Sequence, residues 1–296
     1  MPNTLEEREW QILLDRISDK KCTPFLGAGA CFGTLPTGGE LAHELSQKYR
    51  YPLDGGDDLA RVAQFLAVEY EDGIFPKDQI VKRFAKIAPP NFDEPNEPHS
   101  VLASLPLPIY ITTNYDDFMM KALQYQNREP RRELCRWNER LKNQPSHFDS
   151  GFTPSVAEPV VFHLHGHTEV EDSMVLTEDD YLDFLISISQ DQDLLPLSIR
   201  EAFASTSLLF MGYRLADWDF RVLFRSLVSY LNRSNARSHV SVQLLPTGAT
   251  VSDDEKERAR RFFDHYFRNQ NIHVYWGACR EFTADLKARW EALNSG

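Results

Sequence analysis

The chain has 296 residues, 42% hydrophobic and 26% charged, which suits one sizeable α/β domain with insertions and excludes wholesale disorder. Its 44 acidic and 32 basic residues leave a net charge of -12, opposing non-specific attraction to nucleic acid or anionic membrane, so no direct nucleic-acid binding is expected. Cys22, Cys31, Cys135 and Cys279 form no C-x-x-C pair, the start of the chain is acidic, and no apolar run approaches the roughly 18 residues of a membrane span. These features predict a cytoplasmic protein without a zinc module, disulfide framework or membrane anchor.

In chain order, Leu5, Ile12, Leu13 and Ile17 predict one face of a first helix, with Thr4 as N-cap and Glu7 three residues on. Lys21 to Leu26 reads as a strand running into the glycine-rich turn Gly27-Ala28-Gly29-Ala30-Cys31-Phe32-Gly33. From about Thr37 to Ala88 the pattern is helical, until Pro89 and Pro90 break it. Pro108 to Thr113 predicts a second strand, followed by Asn114-Tyr115-Asp116-Asp117 and a helix to about Gln126. The basic cluster Arg128, Arg131, Arg132, Arg136 and Arg140 reads as a solvated helix face. Pro159 to His165 is a strand ending at Gly166, Met174 to Thr177 a short one, and Glu178 to Ala204 is helical. Apolar runs beginning at Ser207, His239 and Ile272 complete the strand set.

Continuous apolar strands alternating with helices predict a doubly wound parallel sheet, Rossmann-like α/β, with both faces covered. Residues 1–296 read as a single domain, with helical insertions at about 40–105 and 120–155 forming a smaller lobe. The unusual motifs all fall at strand carboxyl ends, where such sheets bind ligands.

Gly27 and Gly29 let a backbone approach a pyrophosphate, or simply make a tight turn; no phosphate-loop lysine follows them. Asn114 and Asp116 can position water, a ribose or a carboxamide, or can cap the next helix. His163, His165 and His167 alternate, so His163 and His165 would share a strand face. No cysteine or carboxylate lies at metal-ligand spacing, so His165 reads as a general base and His163 as a core histidine. Gly212 clears space for a cofactor, and Asp217 caps a helix on which Trp218 and Phe220 pack.

Taken together and in order, Gly27-Ala28-Gly29, Thr113-Asn114-Tyr115-Asp116, His165-Gly166 and Gly212-Tyr213-Arg214-Leu215 resemble the sirtuin superfamily. The surrounding residues are similar to those of bacterial sirtuin-like effectors of antiphage defence, including the Thoeris type, over roughly residues 20 to 290. Sirtuin deacylases carry a zinc module on two C-x-x-C pairs that this chain lacks, and their proline-aspartate-phenylalanine step is replaced by Leu35-Pro36-Thr37-Gly38.

The resemblance implies NAD as substrate, no metal, and hydrolysis of the nicotinamide–ribose bond to nicotinamide and ADP-ribose. It implies NAD contacts from Gly27, Ala28, Gly29, Thr113, Asn114, Asp116, His165, Gly212 and Tyr213. In that reading Asn114 orients ribose or water, His165 acts as base, and Asp116 orients the carboxamide or stabilises positive charge. It also implies a homo-oligomer, or a partner such as a HerA-type ATPase or an Argonaute-like protein. An NAD or ADP-ribose sensor without turnover remains open, as does a protein ADP-ribosyltransferase or deacylase.

Overall fold

The computed structural model describes residues 5–213, 238–244 and 252–295. Seven parallel strands occupy Cys22–Leu26 (β1), Ile109–Thr112 (β2), Arg131–Leu134 (β3), Val160–His163 (β4), Ser207–Met211 (β5), His239–Gln243 (β6) and Ile272–Trp276 (β7). Their order across the sheet is β3-β4-β2-β1-β5-β6-β7. The chain therefore starts mid-sheet and builds outward to one side and then the other, which places a topological switch point beside β1.

Side chains on a strand alternate between faces, so a sheet covered on both sides needs continuous apolar strands. Phe25, Ile111, Phe162 and Phe210 enter one core, whereas their neighbours Leu26, Tyr110, Val161 and Leu209 enter the other. The second core receives Trp10, Leu13 and Ile17 from α1 (Glu7–Ser18). There Trp10 stacks on Phe282 with ring centroids 5.3 Å apart.

A third core belongs to helices α2 (Gly38–Tyr49), α3 (Leu59–Glu69) and α4 (Phe75–Phe84), where Leu41, Leu45, Val62, Leu66 and Ile80 pack against Met174 and Leu176. Three further helices follow, α5 (Pro98–Ser104), α6 (Phe118–Tyr125) and, after Met174 to Leu176, α7 (Glu178–Gln190). The buried Lys77 ammonium of α4 lies 3.1 Å from Asp180 of α7, fastening the helical lobe beside the sheet. Asp180 also accepts the Leu176 and Thr177 amides. Asp180→Ala strands the lysine charge and should cost about 3–5 kcal/mol, whereas Lys77→Met should cost less because Asp180 keeps its amide donors. Urea denaturation of both variants checks that ordering.

Several sequence expectations are corrected. The first helix is capped by Glu6 with Glu9 reciprocating, and Thr4 lies outside the described residues. The stretch at 120–155 is not helical beyond α6 apart from short single turns; it contains β3, an edge strand too short and too charged to show an apolar run. The arginines are therefore not on a helix face: Arg131 pairs with Glu158, Arg132 with Asp117 and Glu169, Arg136 with Asp149, and Arg140 with Asp172.

Met174 to Thr177 is no strand, because Met174 and Leu176 turn into the lobe core while the Val175 amide donates to the His165 carbonyl at 2.9 Å. Pro196 separates α7 from α8 (Leu197–Ser205), splitting the predicted 178–204 helix. The two last helices, α9 (Asp253–Arg268) and α10 (Cys279–Asn294), flank β7 in sequence.

Candidate active site

Pairing register sets the site. Leu26 lies opposite both Thr112 and Met211, and Thr112 lies opposite His163, so β4, β2, β1 and β5 end in one row. Beyond that row a cleft holds about 1030 Å³ of empty space out to its open mouth. Ala28, Cys31, Thr113, Asn114, Asp116, His165 and Tyr213 line it from the sheet side, with Leu41 and Leu59 from the lobe and Tyr181 and Phe184 from α7.

Asn114 is fixed on several sides. Its amide N–H donates to Thr112 Oγ1 at 2.9 Å, and its carbonyl lies 3.1 Å from His163 Nδ1. Asn114 Nδ2 donates to the Gly27 carbonyl at 3.1 Å and reaches Cys31 Sγ at 3.3 Å. Those contacts identify the amide nitrogen, and Oδ1 accepts no hydrogen bond among the described residues. Thr113 Oγ1 meets Tyr213 Oη at 2.7 Å, and Tyr213 Oη donates to the Leu26 carbonyl.

β4 ends at His163, so the expected strand alternation stops before His165. His163 packs edge-on against His167, whereas His165 packs edge-on against Tyr181 and Phe184. His165 Nε2 is buried with no hydrogen-bond partner among the described residues, a condition that native proteins rarely tolerate without a ligand or water to complete it. Gly166 follows with φ +85°, and the space beside its Cα is taken by Ser173.

Burial pushes His165 from the usual 6.5 down to about 3. Burial, and then the neighbouring His167, lower His163 to about 3 as well. Both imidazoles are therefore neutral at pH 7. The unfolded chain takes up a proton on each near 6.5, while the folded chain does so only near 3. Folding stability should thus be intact above 6.5 and fall as pH drops towards 3, by about 1.4 kcal/mol per pH unit for each histidine. Urea unfolding at descending pH measures this slope, and His165→Gln should reduce it by one proton's worth.

The glycine loop is held against the turn that follows β5. Gly27 N–H donates to the Met211 carbonyl and Gly29 N–H to the Gly212 carbonyl, each at 2.9 Å. A Cβ on Gly29 would stand 2.9 Å from Gly212 Cα, and one on Gly212 would stand 2.3 Å from Ala30 N. These three glycines give room to one another's backbone, and only Ala28 of the Gly27 to Gly29 loop lines the cleft. The loop continues as the single turn Ala28–Cys31, well before α2 begins.

Asp116 acts as a capping residue, accepting the Phe118 amide at 2.8 Å, and also faces the cleft. Asp217, Trp218 and Phe220 lie outside the described residues.

Cys31, His99 and Glu97 form a buried cluster that no sequence motif announces. His99 Nδ1 lies 2.8 Å from Glu97 Oε1, while its Nε2 faces Cys31 Sγ at 3.8 Å. Cys31 in turn donates to Asp116 Oδ2 at 3.4 Å. Burial, and then the Asp116 charge, push the Cys31 thiol well above its usual range, so it stays protonated. Residues so far apart in the chain leave no spacing signal.

A family model described as SIR2-like domain matches residues 108–275, more than half of the chain. The chain belongs to the SIR2-like family. Several relatives bear the name NAD(+) hydrolase ThsA. That of Acinetobacter baumannii (strain 532279) is 24% identical over 257 residues, covering 84% of this SIR2-like chain and 48% of the relative. That of Cytobacillus dafuensis is 25% identical over 231 residues, covering 76% and 42%. That of Bacillus cereus (strain MSX-D12) is 24% identical over 229 residues, covering 77% and 44%. The SIR2-like chain thus spans under half the length of these relatives. A solved chain from "Structural Basis for the Mechanism and Regulation of Sir2 Enzymes" superposes with a TM-score of 0.42 and 11% identity, covering 98% of this chain and all of that one. No helix among the described residues is long and apolar enough to cross a membrane.

Proposed function

We propose that this SIR2-like chain is an NAD glycohydrolase, releasing nicotinamide and ADP-ribose. The observation that carries the reading is His165, which lines one cleft with Asn114 and keeps its Nε2 buried without a partner among the described residues. The names of the relatives support the substrate.

Departure of nicotinamide leaves an oxocarbenium-like ribose, so the site must hold sugar and water in line more than it must supply a strong nucleophile. Asn114 is suited to such positioning, because Nδ2 is anchored on Gly27 and Oδ1 is left as an acceptor for the attacking water or a ribose hydroxyl. Neutral His165 takes the water's proton late, once the ribose cation has made that water acidic. Asp116, facing the same cleft, orients the carboxamide and balances the developing positive charge. Ala28, Thr113 and Tyr213 contact the remainder of NAD directly, and Gly27, Gly29 and Gly212 act through the backbone they position.

The test is incubation of the purified chain with NAD, with chromatographic detection of nicotinamide and ADP-ribose and calorimetric measurement of binding. Equal release of both products is expected. Binding without release would transfer the reading to a sensor, and absence of both would overturn it.

The same reading makes the chain a single SIR2-like domain in a cytoplasmic antiphage effector that depletes NAD. Its control by self-assembly, or by a HerA-type ATPase or Argonaute-like partner, is tested by light scattering of the chain alone and mixed with each candidate.

A further inference from the structure

The floor of the cleft holds chemistry that glycosidic hydrolysis leaves unused. Cys31 Sγ, His99 Nε2 and an Asp116 carboxylate oxygen come from three distant parts of the chain, yet all lie within 4.8 Å of one another. We propose that these three atoms form a site for a thiophilic divalent metal, zinc above all, that closes the cleft beside Asn114.

Geometry supports this assignment. Tetrahedral zinc, with bonds of about 2.3 Å to sulfur and about 2.0 Å to nitrogen or oxygen, sets its ligand atoms roughly 3.3–3.6 Å apart. Cys31 Sγ stands 3.8 Å from His99 Nε2 and 3.4 Å from Asp116 Oδ2, close to those spacings, and the third edge, from His99 to Asp116, lies within 4.8 Å and must shorten on binding.

The outer contacts fit as well. Zinc-bound histidines usually donate their second ring nitrogen to a carboxylate, which fixes the tautomer. Buried Glu97 holds His99 Nδ1 in that manner and is itself fixed by the Ser100 amide at 2.6 Å. The Nε2 lone pair therefore points towards Cys31.

Charge closes too. A thiolate and a carboxylate neutralise a divalent ion, and the thiol proton that Cys31 now directs at Asp116 passes to solvent on binding. Cys31 and Asp116 line the cleft, which gives the ion a route in and leaves its fourth position for water.

The ion would displace the Asn114 Nδ2–Cys31 Sγ contact and take the Asp116 carboxylate away from substrate. Loss of NAD cleavage on metal binding rests on the function proposed above, whereas metal binding does not.

The experiment is titration of the purified, metal-free chain with zinc against a chromophoric chelator, together with cobalt(II) spectroscopy. One zinc per chain is expected, with one proton released, and cobalt should show intense tetrahedral visible bands and a thiolate charge-transfer band. Cys31→Ser and His99→Ala should weaken zinc about 100-fold or more, and Glu97→Gln about tenfold. Cys135→Ser, which alters a buried cysteine that does not line the cleft, should leave binding intact.

Thermal melts separate misfolded variants from weakened ones, and the cobalt spectrum of the unaltered chain stands without any variant. Absence of the thiolate band, or zinc binding that survives in folded Cys31→Ser and His99→Ala, overturns the site. If zinc binds and NAD cleavage is undiminished, the site stands and the closure of the cleft is refuted. If zinc binds and no NAD is cleaved under any condition, the metal site stands and the hydrolase reading fails.

Discussion

Asn114→Ala and His165→Ala are each expected to slow NAD cleavage by roughly 10²- to 10⁴-fold while leaving NAD binding within a few-fold of the unaltered chain. The separation arises because, in the proposed reaction, both side chains act where charge and proton position change. The broad cleft wall of Ala28, Thr113 and Tyr213 is untouched by either change. Asn114→Ala also removes the link to Gly27 and Cys31, so its melting temperature should fall slightly. His165→Ala removes an imidazole that makes no hydrogen bond through Nε2 among the described residues, so stability there depends on lost packing against Tyr181 and Phe184. Single-turnover assays beside calorimetry decide the matter: if binding disappears in proportion to rate, both residues are substrate contacts and neither has a role specific to the chemical step.

Gly212→Ala is expected to be more damaging to the fold than either. Gly212 has φ +82°, a region that side-chain-bearing residues rarely adopt. An added Cβ would stand 2.3 Å from Ala30 N and 2.5 Å from the Gly27 carbonyl oxygen, backbone atoms that cannot swing aside. Strain and overpacking together should cost roughly 2–6 kcal/mol, lowering the melting temperature by roughly 5–15 °C. Gly33→Ala is the control: its φ is +88° but nothing lies within 4 Å, so only the conformational cost of about 1 kcal/mol applies. Equal losses at the two positions would show that backbone conformation, and not the contact between the glycine loop and Gly212, decides the effect. Activity should also fall in Gly212→Ala, because the displaced Gly27 carbonyl is the one that anchors Asn114.

The central strands β1, β2, β4 and β5 were legible in the sequence because strands buried on both faces are dominated by apolar residues. β3 was not legible, because an edge strand of four residues pairs on one side only and carries charge. The site was readable to the extent that it lies in contiguous turns: Asn114, Asp116 and His165 do line one cleft. What Gly27, Gly29 and Gly212 do was not readable, since local sequence cannot tell a backbone that makes room for a ligand from one that makes room for another strand's turn. Cys31, His99 and Glu97 were invisible for a related reason: their proximity is created by α5 lying over the turn after β1, a contact with no periodicity.

The hydrogen bonds from His163 to Asn114, from Asn114 to Gly27 and from Gly27 to Met211 link the ends of neighbouring strands across the sheet. A tie of this kind makes the position of Asn114 depend on where four strands stop and not on how far apart they are in the chain. Inserting one residue within β1, β2, β4 or β5 moves one anchor by a full step and breaks the tie, while lengthening the connection through α2 to α5 leaves it untouched. The placement of Asn114 and the helical lobe can therefore vary independently, so that the mouth of the cleft is adjustable without disturbing the row of strand ends.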